Sequence, residues 1–267
     1  MSAGNNFRFI TCSVLLIFSY FAENVANEPT PIVMWHGMGD SCCAFYSLGA
    51  IKEKLNASIP GVYVHSLKIG DNFLEDVENG RALVQRCPTP RIKNLISVGG
   101  QHQGVYGLPN CGALSNNACD YIRKLLNHAA YIDWVQKGLV QATYWHDPLN
   151  EEEYKKNSSF LADINNELVI NETYKTNLLG LENFVLIRFD NDTVVQPVDT
   201  EWFGFYKPGQ SVEKQTLQES AIYTEDRLGL KQLNEDNRLK FLSTSGNHLR
   251  FEWEWFEENV VDHYLRN

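Results

Sequence analysis

Three short stretches carry residue types that can work together in nucleophilic hydrolysis. "FDNDTVVQP", Phe189 to Pro197, sets Asp190 and Asp192 on one turn, and "STSGNHLRF", Ser243 to Phe251, sets His248 on a glycine loop. An acid followed in the chain by the histidine it orients is one of the orders in which Ser-His-Asp sites are laid out. "HGMGD", His36 to Asp40, can aim the backbone N–H of Met38 at a developing oxyanion. Each loop alone has an ordinary explanation: a strand-to-helix turn that needs glycine, a solvated Asn/Asp turn, a surface histidine. The order of the acid and the base is more specific than either loop. What the sequence lacks is the serine. Gly100-Gln101-His102-Gln103-Gly104 has the G-x-S-x-G shape of a nucleophile elbow with histidine at the serine position, and no G-x-S-x-G occurs anywhere in the 267 residues.

The elements that must position these loops read as alternating strands and helices. "PIVMWHG", Pro31 to Gly37, is a continuous apolar run, as expected of a buried parallel strand. A helix is predicted from Ser41 toward Leu55, and "GVYVHSL" and "NLISVGG" read as further strands. "NFVLIRF", Asn183 to Phe189, and "LKFLST", Leu239 to Thr244, lead into the acid and histidine loops. Apolar residues at helical spacing between Asp120 and Val140 predict two helices, and Trp253, Phe256, Val260 and Leu265 share one face of a terminal helix. The pattern predicts an α/β fold, a mostly parallel sheet with helices on both faces. The block from about 105 to 182, without a clear strand, reads as a helical insertion capping the sheet.

Composition narrows the class. Lys and Arg number 23 against 33 Asp and Glu, for a net charge of −10, and the cations are scattered, which argues against a nucleic-acid partner. Arg8 precedes an apolar run from Phe9 to Ala22, shorter than the roughly 20 residues a membrane span needs. It reads as the core of a signal peptide over residues 1–26, leaving a domain over 27–267 with no transmembrane segment. Sequons at Asn56, Asn157, Asn171 and Asn191 fit a secretory-pathway glycoprotein. Removal of Cys12 with the signal leaves five cysteines, an odd count. Cys111 and Cys119 bracket a polar loop that a bridge could close. Cys42 and Cys43 form a vicinal disulfide or pair elsewhere, and Cys87 is the orphan.

Longer runs carry more information than these motifs: "VMWHGMGDSCC", "LISVGGQHQGVYGLPNC", "YWHDP", "FLADINNE", "NDTVVQPVDTEWFGFY", "YTEDRLGL" and "GNHL". Through them, over nearly the whole mature chain, the sequence resembles the palmitoyl-protein thioesterases, lysosomal α/β-hydrolases that remove long-chain acyl groups from protein cysteines. The resemblance implies Asp192 as triad acid, His248 as triad base and Met38 as an oxyanion-hole donor. It implies glycans on Asn157, Asn171 and Asn191, disulfides Cys42–Cys43 and Cys111–Cys119, no metal and no cofactor, and an acyl-chain groove formed by the helical insertion. Partners would be S-acylated proteins or peptides and long-chain fatty acyl groups, and the compartment the lysosome, reached by the secretory pathway, with secretion as a further outcome.

The chain departs from the family pattern at one place. "LKIGDNFLEDVEN" matches up to Asn79 and "RALVQRCP" from Arg81 matches the helix after the family's elbow. One helix, the elbow strand and the nucleophile serine that lie between them in the family are absent. The family partner of Cys87 falls in that missing piece, so Cys87 is expected to be an unpaired thiol. "GQHQG" is then a neighbouring loop, with His102 structural or groove-lining. Ser41 and Ser97 lack an elbow and are poor substitutes. The expectation is a thioesterase by family whose chain as written is inactive. The alternative is a non-enzymatic acyl- or protein-binding glycoprotein of the same fold.

Overall fold

The computed structural model describes residues 28–37, 45–67, 80–107, 126–138 and 140–266. The signal segment, Met38, Ser41, Cys42, Cys43, Cys111 and Cys119 lie outside the described residues.

Seven strands are described: β1 (Ile32–Met34), β2 (Val64–Ser66), β3 (Asn94–Val98), β4 (Asn183–Phe189), β5 (Phe205–Tyr206), β6 (Lys214–Gln215) and β7 (Leu239–Thr244). β1 and β2 pair in parallel, with Ile32 opposite Val64. β3, β4 and β7 form a second parallel ladder in that order, with Leu95 opposite Phe184 and Phe184 opposite Leu239. β5 and β6 are a short antiparallel pair. β4 and β7 have the bounds their apolar runs predict.

β4 is central and covered on both faces, which is why its sequence is an unbroken apolar run rather than an alternation. Phe184 and Leu186 point into one core with Phe203, Leu95, Leu178 and Leu230. Val185 and Ile187 point into the other, against Leu55, Val64, Phe256 and Val260. The helix Leu48–Ser58 and the terminal helix cover this second face. Of the helix predicted from Ser41 toward Leu55, residues 41–44 lie outside the described residues, 45–47 form a turn and the helix runs Leu48–Ser58. The terminal helix runs as an α turn, Trp253–Phe256, and then a π-helix, Glu257–Leu265. Its wider turn brings Val261 into the core beside the expected Phe256 and Val260.

One expectation needs correction. β1 is not buried on both faces: Val33 is 43% exposed. Ile32 and Met34 meet the second core and Trp35 packs against the first, while Val33 between them stays exposed.

In the described part of the block from 105 to 182 the named elements are the helices Asp133–Gly138, Val140–Thr143, Glu151–Asn157, Leu161–Ile164 and Glu172–Leu179. Of the two helices predicted between Asp120 and Val140, the described residues hold a helical stretch at 126–129 and the helix Asp133–Gly138; the rest lies outside the described residues. A parallel bridge between Val105 and Trp145, outside the named strands, joins the start of the insertion to its middle. His146 closes the join, its ring stacked between Tyr154 (3.8 Å) and Phe205 (4.2 Å), with Nδ1 2.7 Å from the Gln103 carbonyl.

Candidate active site

The acid and histidine loops leave the C-terminal ends of neighbouring strands, β4 and β7, where parallel sheets keep their sites. Hydrogen bonds to backbone carbonyls hold them together: Asp190 N–H donates to the Thr244 carbonyl at 2.9 Å, and Asn191 Nδ2 donates to the Ser245 carbonyl at 2.6 Å. Asn247 is the staple. Its Oδ1 accepts from the amide of Thr193 at 3.0 Å and from that of His248 at 2.7 Å. Gly246 is required there, because a Cβ would collide with the Arg250 carbonyl.

His248 Nδ1 lies 2.6 Å from Asp192 Oδ2, with the Asp192 side chain enclosed and that of His248 23% exposed. Oδ1 of Asp192 accepts from the amides of Val194 (2.6 Å) and Val195 (2.8 Å). Burial pushes the Asp192 carboxyl up, but hydrogen bonds from His248, Glu201 and these amides outweigh it and hold it down at about 2. Asp192 is therefore an ionised acceptor and Nδ1 of His248 carries the proton donated to it. That fixes the tautomer and leaves Nε2 as the nitrogen able to exchange a proton. Asp190, the other acid on the turn, is taken by Arg188 at 2.7 Å and does not meet the histidine.

Gly99 packs beside the His248 ring. Its φ is +65°, and a Cβ there would stand 3.1 Å from His248 Cε1 and 3.3 Å from Phe189. The Gly99-Gly100 turn thus passes close under the base, while His102, at the serine-like position, does not join it. His102 is buried, stacked on Phe203 at 4.3 Å, with Nε2 2.9 Å from Ser97 Oγ. Desolvation, then the nearby Arg81 charge, holds it well below the ordinary histidine range, so it stays neutral. His102 is structural, and the hydroxyl of Ser97 is committed to it.

Arg81 begins the chain after the departure point and is buried, donating to Asn165 Oδ1 at 2.8 Å. Burial lowers its guanidinium to about 10. Cys87 is exposed with a free thiol. Of the sequon asparagines, Asn56 and Asn191 are exposed and Asn157 and Asn171 half-buried. Sequence reasoning missed Glu201 and Asn247. No motif marks Glu201, and Asn247 reads as a generic loop residue.

The family model for palmitoyl protein thioesterase matches residues 31–80 and 79–248, ending on the base. Palmitoyl-protein thioesterase 1 of Caenorhabditis elegans is 42% identical over 297 residues, covering 97% of this chain and 99% of that protein. Palmitoyl-protein thioesterase 3 of Dictyostelium discoideum is 32% identical, covering 90% and 92%. The human lysosomal thioesterase PPT2 is 29% identical, covering 76% of each. A match over most of the chain, around a histidine–aspartate pair at the ends of two parallel strands, places the protein in the palmitoyl protein thioesterase family, with an α/β-hydrolase fold.

Proposed function

We propose that the chain carries the acid and base of a palmitoyl-protein thioesterase and lacks its nucleophile. The observation that carries this reading is the 2.6 Å contact of His248 Nδ1 with Asp192 inside the family match. In a form that retains the elbow, the serine oxygen attacks the thioester carbonyl carbon while His248 Nε2 takes its proton. The Met38 amide shares the oxyanion. Collapse of the tetrahedral intermediate breaks the C–S bond; the thiolate, with a pKa of about 8.5, leaves with little help and takes the proton from His248 Nε2, which frees that nitrogen to act as base again. Water then adds to the acyl-serine, giving its proton to His248, which returns one to the serine oxygen. The products are a free long-chain acid and a protein thiol, and no metal or cofactor enters.

The missing segment has independent support. An alignment of 297 positions against a chain of 267 leaves at least 30 (297 − 267) without a residue here. The family match breaks off at residue 80 and resumes at 79, where the sequence departs from the pattern. Among the described residues no ladder joins β1 to β3, as expected if the strand between them is absent.

The substrates are S-acylated proteins or peptides with long acyl chains, held by a groove in the helical insertion. The protein is a lysosomal glycoprotein delivered by a signal peptide over residues 1–26, with glycans on Asn157, Asn171 and Asn191. Its disulfides are Cys42–Cys43 and Cys111–Cys119, and Cys87 is left unpaired. Among the described residues no helix is long and apolar enough to cross a membrane.

The test is twofold. Sequencing the transcript across the codons for Asn79 to Arg81 establishes whether an elbow-bearing form exists. The purified chain as given should hydrolyse a palmitoyl thioester no faster than background, since loss of a triad nucleophile costs on the order of 10⁶ in kcat. The elbow-bearing form should turn over and lose that turnover on H248A. Hydrolysis by the short chain sinks the inactive reading. Acyl binding without hydrolysis by both forms favours a binding glycoprotein.

A further inference from the structure

Glu201 sits in the 3-10 turn Val198–Trp202 and is 0% exposed. Its Oε2 accepts the amide of Phe189 at 2.7 Å, and the Phe189 carbonyl accepts the amide of Asp192 at 3.0 Å. One residue at the end of β4 thus fastens both acids. Side-chain donor atoms of Asp192, Glu201 and His248 all lie within 4.8 Å of one another. Oε1 of Glu201 is buried and meets no N–H or O–H donor. The acidic group beside Glu201 is the Asp192 carboxyl, within 4.8 Å.

Two ionised carboxylates in enclosed contact repel, and a single proton between them removes the repulsion. The surroundings decide which acid holds it. Asp192 already takes hydrogen bonds from two amides and the His248 ring, all of which favour its charged form. Glu201 has one amide. The charged and titratable groups facing Glu201 are Asp192 on the turn after β4, His248 on the loop after β7 and Arg188 on β4 itself. Arg188 does not neutralise it, being bonded to Asp190 and lying over the Trp202 ring at 3.7 Å.

We propose that Glu201 is a positioning residue that stays protonated and donates its carboxyl hydrogen to Asp192, holding the carboxylate that orients His248. The inference rests on the acid–base reading above and concerns the hydrogen-bond chain, not hydrolysis. Burial, then the hydrogen bond to Asp192, raises the Glu201 carboxyl to about 9.

The test uses the full chain, labelled with ¹³C at glutamate carboxyls and followed by NMR, with Glu201 assigned from its disappearance in E201Q. At neutral pH the Glu201 carboxyl carbon should resonate at the protonated position, moving to the carboxylate position only as pH passes about 9. The low-field Nδ1 proton of His248 should be kept in E201Q, whose amide can donate to Asp192 while its carbonyl takes the Phe189 amide. In E201A that resonance should shift or vanish. A carboxylate signal for Glu201 at neutral pH overturns the proposal. So does an E201Q spectrum that moves as far as that of E201A. If E201A fails to fold, the wild-type titration and E201Q still decide. Absence of thioester turnover in the elbow-bearing form would count against the functional reading and leave this one standing.

Discussion

At the scale of single residues, the two acids at the site have opposite effects on stability as pH changes. Asp192 is held at about 2 when folded, below its ordinary value. Its contribution is present above the ordinary carboxylate range and is lost as pH falls through the folded value. Glu201 runs the other way. Unfolded, it releases its proton near pH 4.3, roughly the ordinary glutamate value; folded, it keeps it to about 9. Between those values the folded state binds the extra proton, so stability falls as pH rises, by up to about 1.4 kcal/mol per unit for one proton. The pair therefore favours the folded chain in mildly acidic solution. E201Q, which cannot ionise, should flatten the decline. Urea midpoints measured across that range check this, and an unchanged slope in E201Q would refute the account.

At the scale of elements, the helix Gly80–Arg86 follows the departure point and is tied to the insertion by side-chain hydrogen bonds. Gln85 donates to the Ile164 carbonyl at 2.7 Å, and Asn177 donates to the Gln85 carbonyl at 2.8 Å. Arg81 reaches further in, toward Asn165 and across the Phe203 ring at 5.2 Å. Asn165 in turn donates to the His102 carbonyl at 3.0 Å, so the glycine turn beneath His248 is braced through this helix. R81M keeps the length of the stem but removes the donor to Asn165, a buried acceptor. It should cost about 1–3 kcal/mol, read as a lower denaturation midpoint. A midpoint within about 0.5 kcal/mol of wild type, the range of neutral surface changes, would mean that the brace contributes little.

For the whole molecule, the decisive feature is a parallel sheet described in two ladders. β4 has neighbours on both sides, whereas β1 is paired only with β2 among the described residues. A central strand and its helix would bury about six further apolar side chains, at roughly 1.5–3 kcal/mol each. That sum is comparable with a domain's total stability of about 5–15 kcal/mol. Restoring the family's elbow segment between Asn79 and Arg81 should therefore raise both the unfolding midpoint and the denaturant slope, since more surface is then exposed on unfolding. Circular dichroism of the two forms tests this. Equal midpoints would show that the short chain has repacked around the gap. An unpaired parallel edge also favours association, so the short form should be the more aggregation-prone.

The sequence alone determined the parts governed by local pattern. β4 and β7 declared themselves as apolar runs because a strand buried on both faces has no polar side to show. Asp192 and His248 were legible from their order and from the resemblance, as was the absence of an elbow serine. Other features depend on which distant groups meet. Asp190 and Asp192 are equivalent as neighbours on a turn, and only the placement of Arg188 and Asn247 separates an exposed ion pair from the partner of His248. His102 reads from the sequence as structural or groove-lining, and its enclosure by Phe203 and Ser97 decides for the structural role. Glu201 carries no local signal. Its proton is decided by burial and by a carboxylate nine positions earlier in the chain, because the energy of a charge depends on its surroundings in space rather than on its neighbours in sequence.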